Sequence, residues 1–199
     1  MSGSTHDAII GAADALFYTM GFEHTSFADI AGRVGISRGN FYHHFKTKDA
    51  ILDAVIARRL SQTATMLDGW AAEGGDPAGR IKRFVDILVR NQTKIMAYGC
   101  PVGTLCAELA KTGHPAQGEA ARLFTLFRTW LRAEFHRLDP GADADERAMH
   151  LLGRSQGVAS MANALRDPAF VATEVALMHA YVDACATPSR PDPHDLRKH

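Results

Sequence analysis

Apolar residues recur along this chain every three to four positions, from Ile9 to Val182, and hardly anywhere in alternation. That is the period of a helix with one buried face; a half-buried strand would alternate. The first helix spans about Thr5 to Met20, with Ile9, Ala13, Leu16, Phe17 and Met20 on one side. Ser4 and Asp7 have capping-box spacing at its start, and Gly21 is a left-handed stop at its end. Ser26 and Asp29 repeat that spacing and open a second helix, about Phe27 to Val34. Gly35 follows, a residue that takes positive φ at little cost and so permits a tight turn. Ser37 then caps a third helix, about Arg38 to Phe45.

The later elements are mostly longer. Thr47 caps a fourth helix through Leu52, Val55, Leu60, Met66 and Trp70, stopped by "GGDP". Asp76 and Pro77, a cap and a proline at the first helical position, start a fifth through Ile81, Phe84, Leu88, Ile95 and Met96. "YGCP" ends it, and Pro101 opens a sixth to about Lys111. A seventh carries Leu123, Phe124, Phe127, Trp130, Leu131 and Leu138. An eighth covers about Glu146 to Leu165, and Asp167-Pro168 opens a ninth through Phe170, Val175, Met178 and Val182. The expectation is an all-α chain: a three-helix unit over 1–47, a six-helix unit over 48–186, and a polar, proline-rich tail, 187–199, that is disordered.

Composition narrows the class. A hydrophobic fraction of 46% and a charged fraction of 22% describe an ordinary globular protein. No apolar run reaches the ~18 residues of a membrane span, and "MSGSTHDAII" lacks a basic-then-apolar signal. Three cysteines without a C-x-x-C repeat suit a reducing compartment, so a cytoplasmic protein with no membrane partner is expected. Net charge is zero, yet Arg33, Arg38, Lys46 and Lys48 form a stretch of +4 with no acid among them. A solvated helical face is one reading of that stretch, a local patch for a polyanion the other.

The surrounding residues favour the second. Two short helices joined by a tight turn, the second exposed and basic, are the parts of a helix-turn-helix. Ile30, Ala31, Val34 and Ile36 supply the apolar side; Phe41 and Phe45, four apart, face the core. Arg38, Gly39, Asn40, Tyr42, His43 and His44 are left outside. Gly39 costs ~1 kcal/mol in a helix relative to Ala, which suits a backbone that must approach something bulky.

The pattern Tyr42, His44, Phe45, Lys48, Leu52 resembles the signature of TetR family transcriptional regulators, and Phe27, Ile30, Ala31, Val34, Gly35 and Ser37 match what precedes it. The resemblance covers about residues 5–56. It implies a three-helix DNA-binding domain joined through the fourth helix to an effector-binding and dimerisation domain. By position it makes Tyr42 and Lys48 phosphate contacts, with His44 a helper. Thr25, Ser26, Ser37 and Arg38 stand at helix starts, where hydroxyls and N–H groups hold phosphate. Gly39, Asn40 and His43 become the base-reading surface, since Asn pairs bidentately with adenine.

Other constellations weigh less. "GRSQG", 153–157, has the form of a nucleophile elbow, but helical periodicity flanks Ser155 on both sides where a strand is required. No catalytic residue, metal site or cofactor is expected; adjacent His43 and His44 diverge by ~100° on a helix. Gly153, Gly157, Met161, Phe170, Val175, Met178 and Val182 are the expected dimer surface, by analogy with the family's two-fold bundle, with intrachain core as the alternative. Trp70, Phe84, Leu88, Met96, Tyr98, Cys100, Leu105, Phe124, Phe127 and Trp130 are candidates for an effector cavity or plain core. Cys100, beside a helix start, is either a reactive thiol or a small buried residue. The whole reads as a ligand-responsive regulator, a homodimeric repressor on a near-palindromic DNA operator. An all-α carrier or enzyme with an incidental helix-turn-helix is the alternative.

Overall fold

A computed structural model of the chain describes residues 5–187; Ser4 with its capping role, and all of the tail but Thr187, lie outside the described residues. These residues form ten helices and no strand: α1 (Thr5–Met20), α2 (Phe27–Val34), α3 (Arg38–His44), α4 (Lys48–Ala72), α5 (Pro77–Arg90), α6 (Gln92–Tyr98), α7 (Pro101–Thr112), α8 (Gln117–Leu138), α9 (Ala144–Leu165) and α10 (Pro168–Ala186). The extra element arises because the fifth apolar run is broken at Asn91. Its φ of −106° and ψ of 12° leave the helical region, and its carboxamide donates to the Ile87 carbonyl at 3.2 Å, competing with the backbone. Counted as one broken rod, α5 and α6 restore the nine read from periodicity. The break has a use: it turns α6 onto α9, where Asn163 Nδ2 donates to the Met96 carbonyl at 3.0 Å.

Two buried clusters organise the chain. The first is built on Ile9, Phe17, Phe22, Ile30, Phe41 and Phe45, closed by Ile51, Leu52 and Val55 from the start of α4. It also draws in Leu105 and Leu109 of α7 and Ala120 of α8, so a helix far along the chain finishes the N-terminal core. The second cluster joins α5, α8, α9 and α10 with Trp70 at the end of α4. Within it Glu134 is fully buried, and its Oε2 accepts from Nε of Arg80 at 2.8 Å, with Nη2 of the same guanidinium also 2.8 Å away. Arg137 donates to the other oxygen. A charge so enclosed persists because it is paired and hydrogen-bonded.

The last helix corrects part of the dimer expectation. Val175, Met178 and Val182 lie on the inner face of α10, which packs on α5, and are buried at 7%, 0% and 0% exposure. Phe170 is half-buried against the same cluster. These side chains complete the intrachain core because apolar residues are spread around α10, and the side facing α5 is the one they occupy. Gly153, Gly157 and Met161 are exposed on α9, and the outward face of α10 is carried by Leu177, 49% exposed. By length and composition Pro168–Ala186 is apolar enough to cross a membrane, but its inner face belongs to this core. Ser155 is no nucleophile elbow: it sits inside α9, buried, and its Oγ donates to the Leu152 carbonyl at 2.7 Å.

Candidate nucleic-acid interface

Helices as short as α2 and α3, 8 and 7 residues, gain little from propensity and depend on their ends. Both are fastened. Ser26 Oγ accepts the Asp29 N–H at 3.2 Å while Asp29 Oδ2 accepts the Ser26 N–H at 2.8 Å, a complete capping box. The Ser26 hydroxyl, donating to that same Oδ2 at 2.6 Å, and then the Ser26 N–H hold the Asp29 carboxyl below the usual carboxylate range. Gly35, at φ 75°, ends α2 in the left-handed region and turns the chain. Ser37 Oγ accepts the Asn40 N–H at 3.3 Å and starts α3. Phe41, 1% exposed, then pins α3 to the core, with the Phe27 ring 5.2 Å away.

That anchoring leaves one side of α3 outside. Ser37, Arg38, Gly39, Asn40, Tyr42 and His43 are exposed together, and a Cβ placed on Gly39 would meet nothing within 4 Å. Tyr42, 43% exposed, stands edge-on to Phe27 at 5.5 Å, which holds its hydroxyl outward. Ser26, Arg38 and Tyr42 line a groove of about 290 Å³ between α2 and α3, with Phe27 and Phe41 as its floor. Hydroxyls and a guanidinium around an open groove suit a phosphate oxygen. His44 is half-buried, its ring 6.2 Å from that of His6 on α1.

Two expected contacts are placed otherwise. Thr25 is 2% exposed and its hydroxyl donates to the Gly21 carbonyl at 2.7 Å, so its proton is spent inside the α1–α2 connection. Lys48 Nζ donates to the carbonyls of Phe22 and Glu23 at 3.0 and 3.2 Å, and lies 4.3 Å from the Phe22 ring centre. The stretch of four cations therefore divides. Lys46 and Lys48 are tied to backbone carbonyls, whereas Arg33 and Arg38 are exposed with no ion pair among the described residues.

The effector candidates also divide. Trp70, Leu88, Met96, Cys100, Phe124, Phe127 and Trp130 gather in the second cluster, with Trp70 and Trp130 edge-on at 5.6 Å and Phe84 and Phe127 at 5.5 Å. Leu105 belongs to the first cluster, and Tyr98 is 43% exposed against Tyr18. Cys100 is the N-cap of α7, its Sγ accepting the Gly103 N–H at 3.5 Å. Burial, then the neighbouring Cys100, pushes the Cys106 thiol up.

Sequence periodicity missed the residues that join the two halves. Tyr18 donates from its hydroxyl to the Gly99 carbonyl at 2.8 Å, and Arg59 links Asp14 at 2.6 Å to the Pro101 carbonyl at 2.7 Å. Gly99 is required there: at φ 81° a Cβ would stand 2.6 Å from Thr104 Cγ2. Each is a single polar residue on an amphipathic helix, and nothing in local spacing sets it apart.

The described residues form an all-helical body that carries a capped helix-turn-helix with its second helix exposed. Residues 9–55 match the family described as bacterial regulatory proteins, tetR family. An HTH-type transcriptional regulator of Lactococcus lactis is 28% identical over 124 residues, 61% of this chain and 63% of that protein. An HTH-type transcriptional repressor of Mycobacterium tuberculosis is 35% identical over 98 residues, 49% of this chain and 50% of its own length. The chain thus spans between half and 63% of the length of these curated relatives. Its fold is that of a TetR regulator from Legionella pneumophila, with TM-score 0.78 and 20% identity over 92% of this chain and 97% of that one. A TetR-family structure from Agrobacterium tumefaciens gives 0.79 and 20%, over 89% and 96%. Residues 9–55 thus carry the helix-turn-helix of the tetR family, and the chain as a whole shares the fold of TetR regulators.

Proposed function

We propose that this chain is a cytoplasmic homodimer that binds a near-palindromic DNA operator through α3 and is released by a small-molecule effector, acting as a repressor and catalysing no reaction. The observation that carries this reading is the exposed set Arg38, Gly39, Asn40, Tyr42 and His43 on a helix fixed by a cap and by the buried Phe41. Gly39, Asn40 and His43 read bases; Ser26, Ser37, Arg38 and Tyr42 hold phosphates around the groove beside them. Arg33 and Arg38 supply the free charge, and Lys48 supports the α1–α2 connection from inside. The exposed faces of α9 and α10, around Gly153, Gly157, Met161 and Leu177, meet their copies across a two-fold axis. The effector enters the second cluster between the two tryptophans and Phe127, where Trp130 Nε1 is enclosed with no acceptor among the described residues. No metal or cofactor takes part.

Selection of bound duplexes from a random pool tests the reading. A near-palindrome should emerge, and its affinity should fall with salt at a slope of about −0.9 per phosphate neutralised. Arg38→Ala should flatten that slope by about one such step, while Lys48→Ala leaves it unchanged because its ammonium is engaged internally. Equal affinity for selected and unselected duplexes would leave an all-α carrier as the better account.

A further inference from the structure

The α1–α2 connection is held by opposite charges on three successive peptide groups, of which Phe22–Glu23 is gripped at both ends. Glu108, on α7, accepts the Phe22 N–H through Oε2 at 3.0 Å and the Glu23 N–H through Oε1 at 2.9 Å. Lys48, on α4, donates to the carbonyls of those same two residues. In the Phe22–Glu23 peptide the anion sits at the N–H and the cation at the C=O, so the two charge-assisted contacts polarise that group in one direction and strengthen each other. Phe22 between them is 2% exposed and packed edge-on by Phe17 and His114. The carboxylate reaches this close because residue 21 has no side chain; a Cβ there would stand 3.1 Å from Oε1. Thr25 closes the same turn, and Ser26, immediately after it, is the cap of α2.

Helix α7 therefore grips the N-terminal unit at both of its ends. Tyr18 and Arg59 bind the corner at Gly99 and Pro101; Glu108 binds the connection about 10 Å further along the helix. A unit carried by α4 alone would pivot on one rod. The second attachment removes that freedom, and it sets the orientation of α2 and α3 without touching either.

We propose that Glu108 is a positioning residue for DNA binding: its carboxylate fixes the helix-turn-helix on the body, so that a dimer presents its two α3 helices at one separation. This rests on the DNA-binding reading above. The test uses the full chain with Glu108→Gln and Glu108→Ala, a selected duplex with two half-sites, and the same duplex cut to one. Affinity for two half-sites should drop about tenfold in the Ala variant and less in the Gln variant, whose carboxamide oxygen still accepts one N–H. Affinity for a single half-site should stay within about twofold, since α3 itself is intact. Amide exchange at Phe22 and Glu23 should quicken in both variants. Equal weakening on both duplexes would assign Glu108 to folding and overturn the proposal, as would unchanged binding to two half-sites or unchanged exchange. If the wild-type chain selects no duplex, the DNA-binding reading falls and the positioning role falls with it; the exchange at Phe22 and Glu23 still decides whether the carboxylate holds the connection.

Discussion

The N-terminal and C-terminal halves keep their helices in place by different means. In the first, helices of 7 and 8 residues are tied at their ends by neighbours three positions away, as Ser26 is by Asp29 and Asn40 is by Ser37. In the second, helices of 14 to 22 residues are registered by pairs far apart in sequence: Arg80 with Glu134, Arg154 with Glu174, and Lys82 with Asp183, 101 positions apart. Short helices bury too little to choose their own limits, so the limits must be written into adjacent side chains. Long helices bury whole faces, and what remains to be decided is how one rod lies on another.

Breaking one device of each kind should therefore cost different amounts. Arg80→Met leaves the buried Glu134 carboxylate with only Arg137 at its rim and should lower stability by about 3–5 kcal/mol. Both tryptophans of the chain, Trp70 and Trp130, lie in that half, so urea unfolding followed by their fluorescence reports it directly. A loss below ~1 kcal/mol would show that the pair is dispensable; adding Glu134→Leu should restore most of what Arg80→Met removes. Gly157→Leu, on the uncovered face of α9, should weaken the proposed dimer by about 1–3 kcal/mol through overpacking while the monomer's helices persist. Sedimentation showing a wild-type dimer would move the interface elsewhere. Ser26→Ala in the other half should cost about 1 kcal/mol, seen as faster amide exchange confined to α2. Exchange rising equally throughout the chain would mean that the cap serves the whole fold.

The smallest effect concerns pH. Burial, with Cys100 next, pushes the Tyr18 hydroxyl up to about 12 from the usual 10.0, so the bond to Gly99 keeps its donor in alkaline solution. The folded pKa is the higher one, so this contribution is whole below pH 10.0 and disappears as pH rises through about 12. Absorbance titration should show Tyr18 and Tyr181 ionising late, and Tyr18→Phe should remove one of the two late steps.

What was legible in the sequence follows the same division. Ser26, Gly35 and Ser37 announce α2 and α3 because cap, stop and turn chemistry is short-ranged, and the exposure of Gly39, Asn40 and Tyr42 follows once Phe41 is assigned to the core. Thr25 looked like a surface hydroxyl because its acceptor, the Gly21 carbonyl, depends on the path of the loop. Val175, Met178 and Val182 are indistinguishable from an outward face by sequence because apolar residues are spread around α10 with no single apolar side, and only its placement on α5 chooses. Glu108 left no mark at all. Its two acceptor contacts lie 85 and 86 residues away.

The completion of the first core by α7 and α8 has a consequence during synthesis. When the ribosome has made the chain as far as Ile56, α1 to α3 and the start of α4 are already written, but Leu105, Leu109, Glu108 and Ala120 are not. Roughly 60 more residues, several seconds at about 5–20 residues per second, must be added before those partners exist. Over that interval the nascent head has an open flank and an unheld loop. A chain built in this order closes its helix-turn-helix unit only after α5, α6 and much of α7 have been translated, so a truncated product carries an unfinished head.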